Sequence, residues 1–213
     1  MNSPKLLIGI DEVGRGPIAG PVAVGVFIFL TTKANKLFYG VKESKQLTEE
    51  KKEDWFKKIL EMQKSGHVNF HVSFQSEKII DTKGLSFAIK KCLETSLSKS
   101  VEKLMINNLN NLKINPQNCL VLLDGGLKAP SEYTNQKTII KGDEKEVVIA
   151  LASICAKVLR DKKMKELGKK YPKYGFGIHK GYGTKKHYDS IKKHGLCPIH
   201  RRSFLHNFLG NVD

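Results

Sequence analysis

Leu6-Leu7-Ile8-Gly9-Ile10-Asp11-Glu12-Val13-Gly14-Arg15-Gly16-Pro17-Ile18-Ala19-Gly20-Pro21-Val22, running on through Ala23-Val24-Gly25-Val26-Phe27-Ile28-Phe29-Leu30, is the stretch whose reading decides the fold. Leu6 to Ile10 is a short apolar run, and Pro21 to Leu30 is a longer one rich in Val, Ile and Phe; both read as strands. A Gly/Pro-dense segment separates them, which predicts a hairpin-like pair with an unusual connection. Gly14-Arg15-Gly16 with Gly20 has part of the look of a dinucleotide-binding loop. That reading fails because Pro17, Pro21 and then a β-branched strand follow where a helix must begin, so no helix N-terminus is available for a pyrophosphate.

Moving outward, Thr48 suits a helix N-cap, and Glu49 and Glu50 suit the positive end of a helix dipole. Trp55, Phe56, Ile59 and Leu60 recur at helical spacing until Gly66. Val68, Phe70, Val72 and Phe74 alternate with Asn69, His71 and Ser73, the period of a half-buried strand, which puts His67 and His71 on the solvent side. From Leu85 to Met105 the apolar positions keep to one helical face for about six turns, as expected of a long helix packed on a sheet. Asn107 to Asn118 has a loop composition. Cys119 to Leu123 reads as a central, doubly covered strand ending in Asp124-Gly125-Gly126. Lys137 to Ile140 predicts another short strand, ending near Gly142-Asp143, and Val147 to about Leu167 a further helix. Strands alternating with helices indicate an α/β domain. Beyond Lys169, Tyr171, Tyr174, Phe176, Tyr182 and Tyr188 stand among Lys, His and Arg. The expected organisation is a catalytic domain over 1–168 and a small C-terminal helical lobe over 169–213.

The chain has 213 residues, enough for one sizeable core. With 40% apolar and 27% charged residues it is an ordinary globular composition, not a disordered, collagenous or membrane-embedded one. Lys and Arg outnumber Asp and Glu by 37 to 21, a formal charge of +16 that attracts polyanions, nucleic acid first among them. Cys92, Cys119, Cys155 and Cys197 form no C-x-x-C pair, and Cys197 and His200 lack a second half at zinc spacing, so a reducing compartment is the simplest expectation. No signal-peptide layout and no apolar run near the roughly 18 residues of a membrane span is present, which points to the cytoplasm.

Against this basic background four acids stand at strand ends: Asp11 and Glu12 after the first strand, Asp124 after the central one, and Asp143 after the next. Functional groups of open α/β sheets gather outside the carboxyl ends of strands. Clustered carboxylates repel unless cations lie between them, and Mg²⁺ or Mn²⁺ prefers such oxygen donors. This is the chemistry of metal-assisted phosphodiester cleavage. Neighbours on a regular strand face opposite ways, so Asp11 and Glu12 share a site only if the strand breaks there, as Gly14, Gly16 and Pro17 lead one to expect. The glycine turn itself suits backbone contact with a ribose, whose 2′-hydroxyl tells RNA from DNA.

The segment Gly9 to Val22 closely resembles the N-terminal signature of ribonuclease HII. Further stretches agree in order and spacing: Glu43-Ser44-Lys45-Gln46-Leu47-Thr48, Leu122-Leu123-Asp124-Gly125, Lys141-Gly142-Asp143, Ala152 to Asp161, His179-Lys180-Gly181-Tyr182-Gly183-Thr184, and His200-Arg201-Arg202-Ser203-Phe204. The resemblance implies a ribonuclease H-like fold, a mixed five-stranded sheet flanked by helices with a helical C-terminal lobe that helps close the substrate groove. It implies an endonuclease that hydrolyses the RNA strand of RNA–DNA hybrids and cuts 5′ of a ribonucleotide embedded in duplex DNA, leaving 5′-phosphate and 3′-hydroxyl ends. Asp11, Glu12, Asp124 and Asp143 match the family's catalytic, metal-binding acids, for Mn²⁺ or Mg²⁺, two ions with substrate bound. Gly14, Arg15 and Gly16 match the turn that reads the 2′-hydroxyl, and Tyr182 the tyrosine that packs on the following deoxyribose. Lys45, Lys180, Arg201 and Arg202 are candidates for backbone phosphates. Glu43 departs from the Asp common before Ser-Lys.

Asp161 reads as a helix residue paired with a nearby base, and His187 and His194 as surface residues. Three alternatives remain at this point: a junction resolvase on the same fold, a hybrid-only nuclease of the ribonuclease HIII type, and a non-catalytic basic binding module. The ribonuclease HIII type usually carries an extra N-terminal domain, for which Asp11, so near Met1, leaves no room. A monomer is the default.

Overall fold

A computed structural model of the chain describes residues 6–31, 34–41, 47–106 and 114–210. Strands β1 (Leu6–Val13) and β2 (Val22–Phe29) pair antiparallel, joined by the glycine-proline segment. Strand β3 (Val68–Gln75) adds antiparallel to β2. Strands β4 (Cys119–Asp124) and β5 (Gln136–Ile139) extend the sheet in parallel on the other side of β1. The order β3-β2-β1-β4-β5 makes this a mixed five-stranded sheet, with β1 rather than β4 in the middle.

Helix α1 (Glu49–Lys64) begins as its sequence predicts, the Thr48 hydroxyl accepting from the Lys51 N–H. Helices α2 (Glu77–Lys83) and α3 (Leu85–Ile106) follow β3; α2 is too short to leave a periodic signature. Helix α4 (Gly142–Lys145) is a single turn leading into α5 (Val147–Lys170). On one sheet face Ile8, Ile10, Val24, Val26 and Leu123 pack against Ala88, Cys92, Leu93 and Leu97 of α3. On the other, Phe27, Phe29 and Leu122 meet Phe56 and Ile59 of α1 and Ile149, Leu151 and Cys155 of α5. Helix α5 lies so close to the sheet that a Cβ at Gly9 would fall 2.2 Å from the Val148 carbonyl oxygen, and one at Gly25 2.5 Å from that of Ala152. Only glycine permits this approach, which carries the first turns of α5 to the end of β1.

Strand β3 corrects the half-buried expectation. Asn69 and Ser73 are buried under α3, Asn69 donating to the Ser100 carbonyl and the Ser73 N–H to the Ser96 hydroxyl, while Phe74 is exposed. Both faces of β3 are covered, and small serines on α3 supply the polar partners. Leu60 likewise lies partly exposed.

After α5 the chain forms short helices α6 (Phe176–His179), α7 (Lys185–His194) and α8 (His206–Leu209). Their apolar centres are completed by the β1–β2 connection: Ala19 packs with Met164, Tyr174, Phe176 and Ile199, and Ile18 with Ile191 and Leu205. Among the described residues no helix is long and apolar enough to cross a membrane.

Candidate active site

Strand β1 does not break at its acids. Asp11, Glu12 and Val13 stay in antiparallel register with Gly25, Val24 and Ala23, whereas the parallel pairing with β4 stops at Ile10 opposite Leu123. The carboxylates therefore leave opposite faces of a strand that outruns its neighbour, and both reach around the open end. Asp11 shares the face of Gly9, under α5, and Glu12 the face of Ile8 and Ile10, toward α3. Asp124 ends β4. Asp143 lies in the first turn of α4 rather than at a strand end, behind Lys141, whose φ of 54° turns the chain. The four acids line one cleft with Val13, Lys52, Ser153, Ile154, Lys157 and Tyr182.

Burial penalises the charge here. Asp11 is pushed up to about 8, chiefly by burial, against a hydrogen bond from Ser153 that lowers it and repulsion from Glu12, Asp124 and Asp143 that raises it. Burial also raises Glu12, opposed by Arg15, whose guanidinium donates to Oε1 at 2.9 Å. Glu12 Oε2 is buried with no hydrogen-bond partner among the described residues. Asp124 Oδ1 accepts the Gly142 N–H at 2.6 Å. Among the described residues no three Asp, Glu, His or Cys side chains are drawn together about one point. Like charges held by separate partners, Glu12 by Arg15 and Asp124 by the α4 backbone, have no reason to converge without a cation. The donors fit a hard divalent ion: all are carboxylate oxygens, burial and then the neighbouring acids raise Asp11, and one Glu12 oxygen is buried without a hydrogen bond among the described residues.

At the rim stands the turn Gly14-Arg15-Gly16. Gly14 has φ +93°, and a Cβ there would lie 2.3 Å from Arg160 Nε. Gly16 is exposed, and a Cβ there would sit 3.8 Å from the Tyr182 ring, so the turn and the tyrosine face each other beside the acids. Two buried guanidiniums shape this turn. Arg201 donates to the carbonyls of Gly14, Arg15 and Gly20, and Arg160 to those of Pro21 and Lys180. Burial, then the neighbouring Arg160, pushes Arg201 down to about 10. Arg201 is thus no phosphate contact but an internal clamp; its carbonyl partners are distant in sequence, so no spacing could have announced it. Arg202 is exposed.

Lys180 does not line the acid cleft itself: its ammonium donates to the Gly177 carbonyl and lies 3.8 Å from Glu49, in a mixed-charge cleft that adjoins the acid cleft through Lys52 and Lys157. Asp161 pairs with Lys157 at 2.9 Å, as expected of a helix i,i+4 pair. Lys45 lies outside the described residues, as do Glu43 and Ser44. The reading of the residues passed over Lys52 and Lys157, the cations of the acid cleft, and Ser153, because lysines and serines are too common here to stand out. His194 is exposed, but His187 and His200 are fully interior.

A protein-family model described as Ribonuclease HII matches residues 8–207. The chain belongs to the ribonuclease HII family. Ribonuclease HII of Caldicellulosiruptor bescii is 40% identical over 205 residues, covering 96% of this chain and 89% of that protein. Among solved structures, ribonuclease H2 from Pyrococcus horikoshii OT3 superposes with a TM-score of 0.63 at 26% identity, over 97% of this chain and 100% of that one. Bst-RNase HIII in complex with Mn²⁺ gives a TM-score of 0.68 at 19% identity, over 95% and 65%. The fold is accordingly ribonuclease H-like and the chain is an enzyme, a ribonuclease H.

Proposed function

We propose that this ribonuclease hydrolyses the RNA strand of RNA–DNA hybrids and also incises duplex DNA on the 5′ side of a single embedded ribonucleotide. The observation that carries this reading is one cleft where two unlike surfaces meet: four carboxylates on its floor, and a glycine-flanked turn whose Gly16 faces an exposed tyrosine at its rim.

Asp11, Glu12, Asp124 and Asp143 would hold two Mn²⁺ or Mg²⁺ ions with substrate in place. Such ions, when bound, supply a nucleophilic water at neutral pH and stabilise the leaving 3′-oxygen of an in-line displacement. The chain's own groups do the rest. The Ser153 hydroxyl orients the Asp11 carboxyl, and the Gly142 N–H holds one oxygen of Asp124 so that the other faces the cleft. Gly14 and Gly16 let the turn's backbone approach a 2′-hydroxyl, with Arg15 beside them, and the exposed Tyr182 ring offers a flat apolar face to the following deoxyribose. Lys52 and Lys157 set positive charge against the scissile phosphate. Residues 169–213 act as the substrate-binding lobe, and the protein works as a cytoplasmic monomer. Products carry 5′-phosphate and 3′-hydroxyl ends.

The test is cleavage of three matched duplexes, all-DNA, DNA with one ribonucleotide and an RNA–DNA hybrid, in Mg²⁺, Mn²⁺ or chelator, with Asp124→Asn as control. Metal-dependent cutting 5′ of the single ribonucleotide, lost in the variant, is expected. Cutting of the hybrid alone would limit the chain to the hybrid-only class, and binding without cleavage in any metal would reject the proposal.

A further inference from the structure

His187 and His200 are buried at 0% and 2% exposure, and their Nε2 atoms lie 3.1 Å apart. The hydrogen bonds at their other nitrogens fix both tautomers. His187 Nδ1 is 2.8 Å from the Tyr182 carbonyl oxygen, which can only accept, so Nδ1 carries the proton. His200 Nδ1 receives the Cys197 N–H, an obligate donor, at 2.9 Å, with the Cys197 carbonyl oxygen farther off at 3.2 Å. His200 therefore carries its proton on Nε2 and donates it to the bare Nε2 of His187. One directed chain results: Cys197 N–H to His200, His200 to His187, His187 to the Tyr182 carbonyl.

This chain spans the two flanks of the β1–β2 connection. On one flank the Ile18 N–H donates to the carbonyl of Gly181, next to Tyr182, at 2.9 Å. On the other, the Gly20 N–H donates to Ile199 and the Arg201 N–H to Ile18, both at 2.8 Å, around a bridge between Ala19 and His200. Arg201, next after His200, grips the Gly14 and Arg15 carbonyls. The histidine pair joins the segment whose Arg201 grips the glycine turn directly to the segment that carries Tyr182, beside Arg160, which bridges the Pro21 and Lys180 carbonyls.

We infer that His187 and His200 are positioning residues for ribonucleotide recognition: their neutral, tautomer-fixed hydrogen bond holds Tyr182 in register with the Gly14–Gly16 turn. The inference rests on the reading of that turn and Tyr182 given under Proposed function. The surroundings suit uncharged rings. His179 stacks on His187 with centroids 4.3 Å apart, Tyr174 and Phe176 pack edge-on or tilted against His200, and Cys197 lies at its Nδ1 side. The charged neighbours are Arg201, next along the chain, and Arg160, bonded to the Lys180 carbonyl. Burial holds both rings below their ordinary range, His187 at about 4. A proton on either ring would set two N–H groups against each other.

Two substitutions of His200 separate this role from a local structural one. Asn keeps an acceptor for the Cys197 N–H but is too short to reach His187; Gln reaches His187 with an N–H but leaves the Cys197 N–H. The readout is the ratio of kcat/KM for a duplex with one ribonucleotide to that for an RNA–DNA hybrid. His200→Asn should lower this ratio about tenfold, the scale of one buried hydrogen bond, and His200→Gln should keep it within about threefold. Long-range ¹H–¹⁵N NMR of the wild-type protein at neutral pH should show His187 protonated on Nδ1 and His200 on Nε2. Equal losses in the two variants, loss in Gln alone, no loss in either, or the opposite tautomers would overturn the inference. A wild-type enzyme that cuts the hybrid yet ignores the embedded ribonucleotide would instead sink the recognition reading itself, and this inference with it.

Discussion

The acid cleft and the histidine core lie on either side of Tyr182, and both bury titratable groups, yet they treat polarity in opposite ways. In the cleft, Asp11, Glu12, Asp124 and Asp143 face one another, and Asp11 is driven up to about 8. In the core, both nitrogens of His187 and of His200 are engaged and the rings stay neutral, His187 driven down to about 4. One region stores repulsion that a bound cation can relieve; the other has its hydrogen bonds complete and gains rigidity from it. On the proposed reading, the cleft that takes up an ion is left electrostatically unfinished, and the scaffold beside it is not.

The sharpest way to break this contrast is Asp11→Asn. The amide oxygen can keep the Glu12 N–H bond, 2.7 Å in the parent, so the fold should survive. Cleavage should fall by about 10³-fold or more, the scale expected when a group acting on the reacting atoms is lost. Melting temperature in chelator should hold or rise; a marked fall would mean that the acid serves the fold. Replacing Arg201 by Met tests the finished side: losing the bonds to Gly14, Arg15 and Gly20 should cost about 3 kcal/mol in urea unfolding. A change under about 1 kcal/mol would show that the clamp is dispensable.

Gly14→Ala and Gly16→Ala divide the turn between fold and substrate. At Gly14 the positive φ and the Arg160 side chain 2.3 Å from the added carbon should cost about 1–3 kcal/mol of stability. Gly16 has room for the methyl, so its variant should melt like the parent while cutting a single-ribonucleotide duplex less well. Equal melting losses in the two would reject this division.

The pH dependence of stability should carry opposite signs from the two regions. Asp11 is raised in the fold from 3.8 to about 8, so the metal-free protein favours the protonated carboxyl, and its contribution is full below about pH 4 and lost as pH rises to about 8. Stabilisation by added Mn²⁺ should therefore grow with pH over that window and shrink in Asp11→Asn. His187 is lowered from 6.5 to about 4, so its contribution is full above about pH 6.5 and lost as pH falls through about 4. Differential scanning fluorimetry of His187→Phe should show a flatter acid limb, and an unchanged limb would remove His187 as its source. The smallest effect is expected from Lys180→Ala, since that ammonium is tied to Gly177 and Glu49 outside the acid cleft. Hybrid cleavage should change less than about threefold and stability by about 0–1 kcal/mol, and a tenfold loss would restore Lys180 to the substrate path.

Much of the candidate site was legible before any coordinates. Asp11, Glu12, Asp124 and Asp143 stand out because acids are scarce in a chain of charge +16 and these follow strand-like runs. The central helices and most strands were equally clear, since apolar periodicity is a local property. What misled was context. His187 looked like a surface residue on a polar helix, β3 looked half-exposed, and Arg201 looked like one more phosphate contact among 37 basic residues.

By itself, then, the sequence determined the alternation of strands and helices, the acids and the glycine turn, because these are written in periodicity and in residue types whose backbone or charge has few uses. Only the tertiary structure decided how they combine. It showed that Asp11 and Glu12 meet around the free end of an unbroken β1 because β4 stops short of it, and that α5 reaches that end because Gly9 and Gly25 let it lie on the sheet. It likewise paired His187 with His200 and wrapped Arg201 around the turn. Hydrogen bonds between residues so far apart along the chain leave no periodic trace, and burial, which sets the charge each group can carry, belongs to the whole fold and not to any one segment.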